Sequence, residues 1–433
     1  MPTYSRSTRP TDTLASDGGT PVRPADRPWP TWPQPAPDAE RYLLDVLHSG
    51  RWAISSPHRG DLFERRFAHM FSEYVGARHC VPVDHGSSAL VVALESLGLD
   101  YGDVVLVPAL TWVATASAVL RAGLVPVLTD VSPLNGGMRV SDLDLDVEPR
   151  AVVVVHWSAA MADIPAITDA VAGHGISVVE DAAQAHGALW QGRHAGTLGR
   201  LGCFSMQHGK VLTAGEGGAV VTDDDELAGL LQELRADSRR YRHGPVPAGE
   251  LDLTETATVM GANFSLDEFS AAVLCAQLPR LDEQHDIRNR NYARLGELIA
   301  DVEGVRLLQP LPAQSRLSIY EAPIVFESLP AHVTNADVAR ALSTELGVRF
   351  YPSREPLDRS RLLCPSTKPS MRPLADRFHE LNRGRAFPHA EFLARHAVLT
   401  HHSTLLGVEA DMADIAEAIG KVAHALDGTN ART

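Results

Sequence analysis

Between residues 79 and 224, short runs of β-branched and aliphatic residues alternate with amphipathic stretches of helical period, and few folds accept that alternation. HCVPVDH (79–85) reads as a strand, SSALVVALESLGL (87–99) as a helix opened by a Ser cap, and DVVLVP (103–108) as a strand. WVATASAVLRAG (112–123) reads as a helix closed by Gly123, and VPVLTDV (125–131) as a strand. The pattern repeats with the strand AVVVVHW (151–157), the helix DIPAITDAVAGHG (163–175) and the strand ISVVEDAA (176–183). LGCFSMQ (201–207) and GGAVVTDD (217–224) add two more strands. Strands alternating with helices predict an α/β chain whose mixed, mostly parallel sheet is covered by helices on both faces.

At 433 residues the chain exceeds one compact core. Residues 1–36, rich in Pro, Ser, Thr, Asp and Arg, predict a flexible or loosely docked arm in which Trp29 and Trp32 tuck into the body or a partner. A helical pattern begins at Asp38, and residues 37–290 form the expected large domain. A long helical stretch (266–302) leads into a smaller C-terminal α+β domain over 291–433. Its strand candidates are YEAPIVFE and VRFYP, and its helix candidates NADVARALSTELG and MADIAEAIGKVAHAL.

Net charge is −15, which disfavours a general nucleic-acid binder, because phosphate neutralisation needs clustered Lys and Arg. Cys80, Cys203, Cys275 and Cys364 lack metal-ligand spacing and read as reduced thiols, so no metal is expected. No apolar run is long enough for a bilayer, and the N-terminus lacks a signal-peptide core. The expectation is a cytoplasmic protein without membrane association.

Three segments at predicted strand ends carry chemistry, where α/β sheets bind ligands. DHGSSAL (84–90) sets a Gly-Ser-Ser turn at a helix start, offering backbone N–H groups, hydroxyls and the positive helix end to a phosphate. VVEDAAQAHGA (178–188) puts Asp181 after an apolar strand, where a carboxylate needs a cation such as a protonated pyridine nitrogen. Gln184 and His186 lie within reach of the same ring. CFSMQHGKVLTAGEGGAVV (203–221) sets Lys210 between a strand and a Gly-rich return; in a partly apolar pocket its amine loses basicity and can form a Schiff base. Each segment alone also fits an ordinary cap, turn or solvated loop.

Together, GSSAL, PALTWVATASAVL, VEDAAQAHGA, FSMQHGK with VLTAGEGGAVVTDD, and GANFSLDEFSAAVL resemble the DegT/DnrJ/EryC1/StrS family of fold-type-I pyridoxal-phosphate aminotransferases. The resemblance runs from about Arg51 to Gln284 and more weakly to the C-terminus. It implies pyridoxal 5′-phosphate on Lys210, Asp181 against the ring nitrogen, and Gln184 at the phenolic oxygen. It also implies Trp112 stacked on the ring, with Gly86, Ser87, Ser88 and Ser205 at the phosphate. Asn263 matches a residue reaching the neighbouring subunit's phosphate, which implies a homodimer with shared sites.

DHGSSAL, ALTWVATASAVL, LRADSRRY and VMGANFSLDEF look most like the aminocyclitol branch, which includes L-glutamine:scyllo-inosose aminotransferases. The resemblance thereby implies a keto-cyclitol acceptor and an amino-acid donor, L-glutamine. Arg239 and Arg240 are candidate carboxylate binders for the donor. His401 is a candidate substrate contact, although His401 and His402 also read as surface histidines. Alternatives are a nucleotide-linked keto-sugar acceptor, a 3-amino-5-hydroxybenzoate-synthase-like reaction, and a non-catalytic cofactor-binding paralogue. HWSAAMAD (156–163) and Met206 depart from common family patterns and are expected near the substrate side.

Overall fold

The computed structural model describes residues 13–57 and 60–430. The large sheet consists of β1 (His79–Val83), β2 (Val104–Pro108), β3 (Val125–Thr129), β4 (Ala151–Val155), β5 (Ser177–Asp181), β6 (Leu201–Ser205) and β7 (Gly218–Thr222). Their spatial order is β1-β7-β6-β5-β4-β2-β3, parallel except for β7, which is antiparallel to both neighbours. β2, β3 and β4 are buried at every position, because helices cover both faces; this is why they read as continuous apolar runs rather than alternating ones.

The register sets the site. Asp181 pairs with Val155 on one side and Cys203 on the other, bringing the ends of β5 and β6 together. Gly218 lies between Val83 and Ser205. A Cβ there would sit 2.5 Å from the His85 carbonyl, so only glycine lets the turn after β1 close over β7.

A second, antiparallel sheet contains β8 (Val305–Leu307), β9 (Glu321–Phe326), β10 (Phe350–Pro352) and β11 (Ala397–His401), in the order β8-β9-β11-β10. Ile324 and Val398 of this sheet share a core with Leu342 and Ile415 from the helices Asn335–Leu346 and Glu409–Asn430. The long helical stretch is broken near Pro279 into Glu268–Gln277, a 3₁₀ turn and Leu281–Leu298. The helix Arg372–Asn382 packs on β3 of the large sheet: Asn382 Oδ1 accepts the Leu128 N–H at 2.8 Å, and its Nδ2 donates to the Pro126 carbonyl at 3.0 Å.

Of the N-terminal arm, residues 1–12 lie outside the described residues. Further along, Arg23 Nη1 donates to Asp411 and Asp414 at 2.7 Å each, and Trp29 Nε1 to the Leu346 carbonyl at 2.8 Å. Trp32 Nε1 donates to the His208 carbonyl at 3.0 Å, two residues before Lys210. Among the described residues no helix is long and apolar enough to cross a membrane, and no cluster of His, Cys, Asp or Glu could hold a metal ion.

Candidate active site

The C-terminal ends of β1, β2, β5 and β6 open on a cavity of about 480 Å³, lined among others by Gly86, Ser87, Trp112, Asp181, Gln184, Ser205 and Lys210. Lys210 stands on a turn after β6, its N–H donating to the Gln207 carbonyl at 2.8 Å. Its Nζ lies 4.0 Å from the centre of the Tyr320 ring. Burial lowers the amine from 10.5 to about 8, while the nearby carboxylates of Asp181 and Glu321 resist the fall.

Asp181, at the end of β5, is buried. Its Oδ2 accepts the Thr115 hydroxyl at 2.8 Å and its Oδ1 the Ala183 N–H at 3.2 Å. The Thr111 hydroxyl lies 3.0 Å from that of Thr115, one helical turn on, so Thr115 can accept from Thr111 while donating to Asp181. Burial pushes the Asp181 carboxyl above its ordinary value, against the pull of those hydrogen bonds and of Lys210. A carboxylate in that condition is short of positive charge, which a pyridinium N–H would supply.

Across the cavity, the helix Gly86–Ser96 begins without a side-chain cap. A Cβ on Gly86 would lie 2.4 Å from Ser205 Cβ, so the absence of a side chain lets the helix start and the Ser205 hydroxyl share one small space. Trp112 is 48% exposed although it lines the cavity, leaving an aromatic face uncovered. Gln184 is buried, and its Oε1 accepts the Ser158 N–H at 2.7 Å, which leaves its amide N–H groups free to turn inward.

Other sequence candidates do not line this cavity. Ser88 is buried one position further along the helix. Arg239 and Arg240 lie on a two-stranded ribbon, engaged with Asp237 (3.1 Å) and Glu233 (3.8 Å). Asn263 is exposed and bridges to Ala236 beside that ribbon. His402 is fully buried and His401 half-buried, so the surface expectation fails for His402, and both approach the Gly209 carbonyl at 3.2 Å through Nε2, next to Lys210 in the chain. His186 is buried beside Phe204, with ring centres 5.3 Å apart, and burial lowers it to about 3.

Of the two departures from the family pattern, one lies away from the cavity lining and the other directly against it. Met206 is fully buried in the core, because its side chain points to the helix-covered face. Within 156–163, His156 Nε2 lies 2.9 Å from Glu180, and Ser158 accepts the Tyr320 N–H at 2.9 Å, so this segment supports the site from behind.

Sequence reasoning missed Thr115, Tyr320, Glu321 and Arg354. Thr115 carried a local signal, four residues after Thr111 at a helix start. Tyr320, Glu321 and Arg354 carried none, since docking of the small sheet brings them to the large one.

An amine of lowered basicity, a buried carboxylate, an uncapped helix start and an open aromatic face fit pyridoxal 5′-phosphate part by part. With the sheet order above, they define a fold-type-I pyridoxal-phosphate-dependent transferase. The chain belongs to the DegT/DnrJ/EryC1/StrS aminotransferase family, whose profile matches residues 36–380. It is thus an enzyme of the transaminase class. Over 418 residues it is 43% identical to the L-glutamine:2-deoxy-scyllo-inosose aminotransferase of Streptoalloteichus tenebrarius, covering 94% of this chain and 97% of that protein. It is 39% identical over 414 residues to the L-glutamine:scyllo-inosose aminotransferase of Streptomyces griseus, covering 94% and 97%. The crystal structure of 3-amino-5-hydroxybenzoic acid synthase superposes with a TM-score of 0.76 at 29% identity, covering 93% of this chain and 99% of that one.

Proposed function

We propose that this protein transfers the amino group of L-glutamine to the ketone of a scyllo-inosose-like cyclitol, in the biosynthesis of an aminocyclitol antibiotic. The carrying observation is Lys210, half-buried and of lowered basicity, in one cavity with Asp181. The acceptor and donor rest on the near-full-length similarity to the Streptoalloteichus and Streptomyces enzymes.

Pyridoxal phosphate, when bound, supplies an electron sink that stabilises negative charge on the substrate carbon and stores the amino group between half-reactions. Lys210 would hold it through Nζ, and the same nitrogen, as a neutral amine, would carry the proton taken from the donor α-carbon. Asp181, oriented by Thr115, would keep the ring nitrogen protonated. Gln184 would donate to the ring oxygen and Trp112 would cover the ring face. Gly86, Ser87 and Ser205 would receive the phosphate through backbone N–H groups and hydroxyls.

The same reading makes the protein a homodimer in which Asn263 reaches the partner's phosphate. Support comes from exposed apolar residues near that loop: Met260 at 94% and Trp52 at 50%, the latter 5.5 Å from Phe269 between ring centres. Arg239 and Arg240 belong to the same side of the protein and would face the partner's cavity mouth. A cytoplasmic site of action suits its four free thiols.

The test is Lys210→Ala. It should abolish turnover and the visible absorbance of the bound cofactor; a variant keeping both refutes the assignment. Assaying scyllo-inosose, a keto-sugar nucleotide and an aminoshikimate precursor side by side separates the acceptor classes. Conversion of the loaded protein by L-glutamine alone separates an enzyme from a non-catalytic binder.

A further inference from the structure

The proposed reaction places two unlike molecules in one cavity in turn: an amino acid with an α-carboxylate, and an uncharged polyol. A carboxylate entering a partly buried cavity needs a cation to meet it. A cation left bare against a neutral ligand is itself unfavourable. A site serving both therefore needs a cation with a resident counter-ion.

Two long cationic side chains line the cavity, Lys210 and Arg354. Lys210 belongs to the cofactor. Arg354 follows β10 on the small sheet and lies 5.4 Å from the centre of the Trp112 ring, across the cavity from Asp181's strand. Its Nη1 and Nη2 donate to the two carboxylate oxygens of Glu321, each at 3.2 Å. That is longer than a tight charge-assisted pair.

The two partners are unequal. The Glu321 side chain is 2% exposed and that of Arg354 28%. Glu321 also accepts the Tyr351 hydroxyl at 2.9 Å and a long contact from the Ser158 hydroxyl at 3.5 Å. The carboxylate is thus fixed and keeps partners of its own, whereas the guanidinium faces the cavity with further N–H donors available. Arg239 and Arg240 have no such position within the chain's own cavity.

We infer that Arg354 binds the α-carboxylate of the amino donor, with Glu321 as its counter-ion whenever the neutral acceptor occupies the cavity. The inference rests on the donor-and-acceptor reading above and adds the residue that lets one cavity serve both. The guanidinium can offer its remaining N–H groups to the donor carboxylate while Glu321 stays paired, so neither half-reaction leaves a buried charge without a partner.

The experiment follows each half-reaction by cofactor absorbance in the full-length loaded protein, for wild type, Arg354→Gln and Arg354→Lys. Arg354→Gln keeps a donor for Glu321 and removes the charge. It should raise the L-glutamine concentration for half-saturation by roughly 10- to 100-fold, with Arg354→Lys in between. Half-saturation by scyllo-inosose of the pyridoxamine-phosphate-loaded protein should move less than about threefold, since that neutral ligand makes no ionic contact with Arg354 and Gln still donates to Glu321. A second readout compares L-glutamine with 4-aminobutanamide, which lacks only the α-carboxylate: the wild type should prefer L-glutamine and Arg354→Gln should lose that preference. Unchanged L-glutamine saturation, a retained preference, or equal losses in both halves overturns the inference. Should scyllo-inosose fail in the wild type while an amino acid still reacts, the acceptor assignment falls and the amino-acid half still decides Arg354. Should no amino acid react with the wild type, both fall.

Discussion

Replacing Thr115 by Val tests the electrostatics of the site through a residue that needs no contact with cofactor or substrate. The side chains are nearly isosteric, so the change removes one hydroxyl and little volume. It deletes the 2.8 Å hydrogen bond to Asp181 Oδ2 and leaves the Thr111 hydroxyl without its neighbour. Asp181 is buried and already held above its ordinary pKa by desolvation, with the Thr115 bond the largest force drawing it down. Losing that bond moves the carboxyl further toward the protonated form, in which it no longer attracts a ring N–H⁺. A hydrogen bond to a charged group is worth about 1.5–3 kcal/mol. If that loss appears in the pairing with the ring nitrogen, pyridoxal phosphate should bind roughly 10- to 100-fold more weakly. The assay is equilibrium binding of the cofactor to stripped protein, by absorbance, with thermal unfolding as a check on the fold. Thr115→Ser, which keeps the hydroxyl, should recover most of the affinity. A folded Val variant with wild-type affinity, or a Ser variant as weak as Val, would refute the reasoning.

Two further outcomes follow from the same cavity. Loading of stripped protein with pyridoxal phosphate needs the neutral amine of Lys210, whose pKa burial lowers from 10.5 to about 8; the second-order loading rate should rise with pH, pass half its plateau near pH 8 and flatten about one unit above that, and a midpoint still near the ordinary lysine value would contradict the lowered amine. Gly86→Ala would place a Cβ 2.4 Å from Ser205 Cβ and 3.0 Å from its Cα; the helix start or the end of β6 must shift, so cofactor affinity measured by dialysis should fall at least about tenfold and thermal unfolding should come at a lower temperature.

Much of this protein was legible in one dimension because local rules dominate there. A β-branched run such as AVVVV must be buried on both faces, and alternation with helices makes the sheet mostly parallel. Asp181, Ser205 and Gly86 each stand at or just beyond a strand end, and parallel strands deliver such ends to one edge. Lys210 and the glycines after it are close neighbours in the chain. Thr115 was half legible: the spacing to Thr111 was visible, but its direction toward Asp181 was not.

Sequence alone therefore determined the large sheet and singled out Lys210 and Asp181, which line one cavity, because each follows from residues within a few positions of a strand terminus. Tertiary structure alone decided which arginine meets the cavity. Arg239, Arg240 and Arg354 are alike as letters, and only the docking of the small sheet carries the Arg354–Glu321 pair to the cavity wall. It likewise turned His401 and His402 inward onto the Gly209 carbonyl and drew Trp32 to the His208 carbonyl. These contacts join segments well over a hundred residues apart, and their partners are selected by burial and shape, which no local pattern encodes.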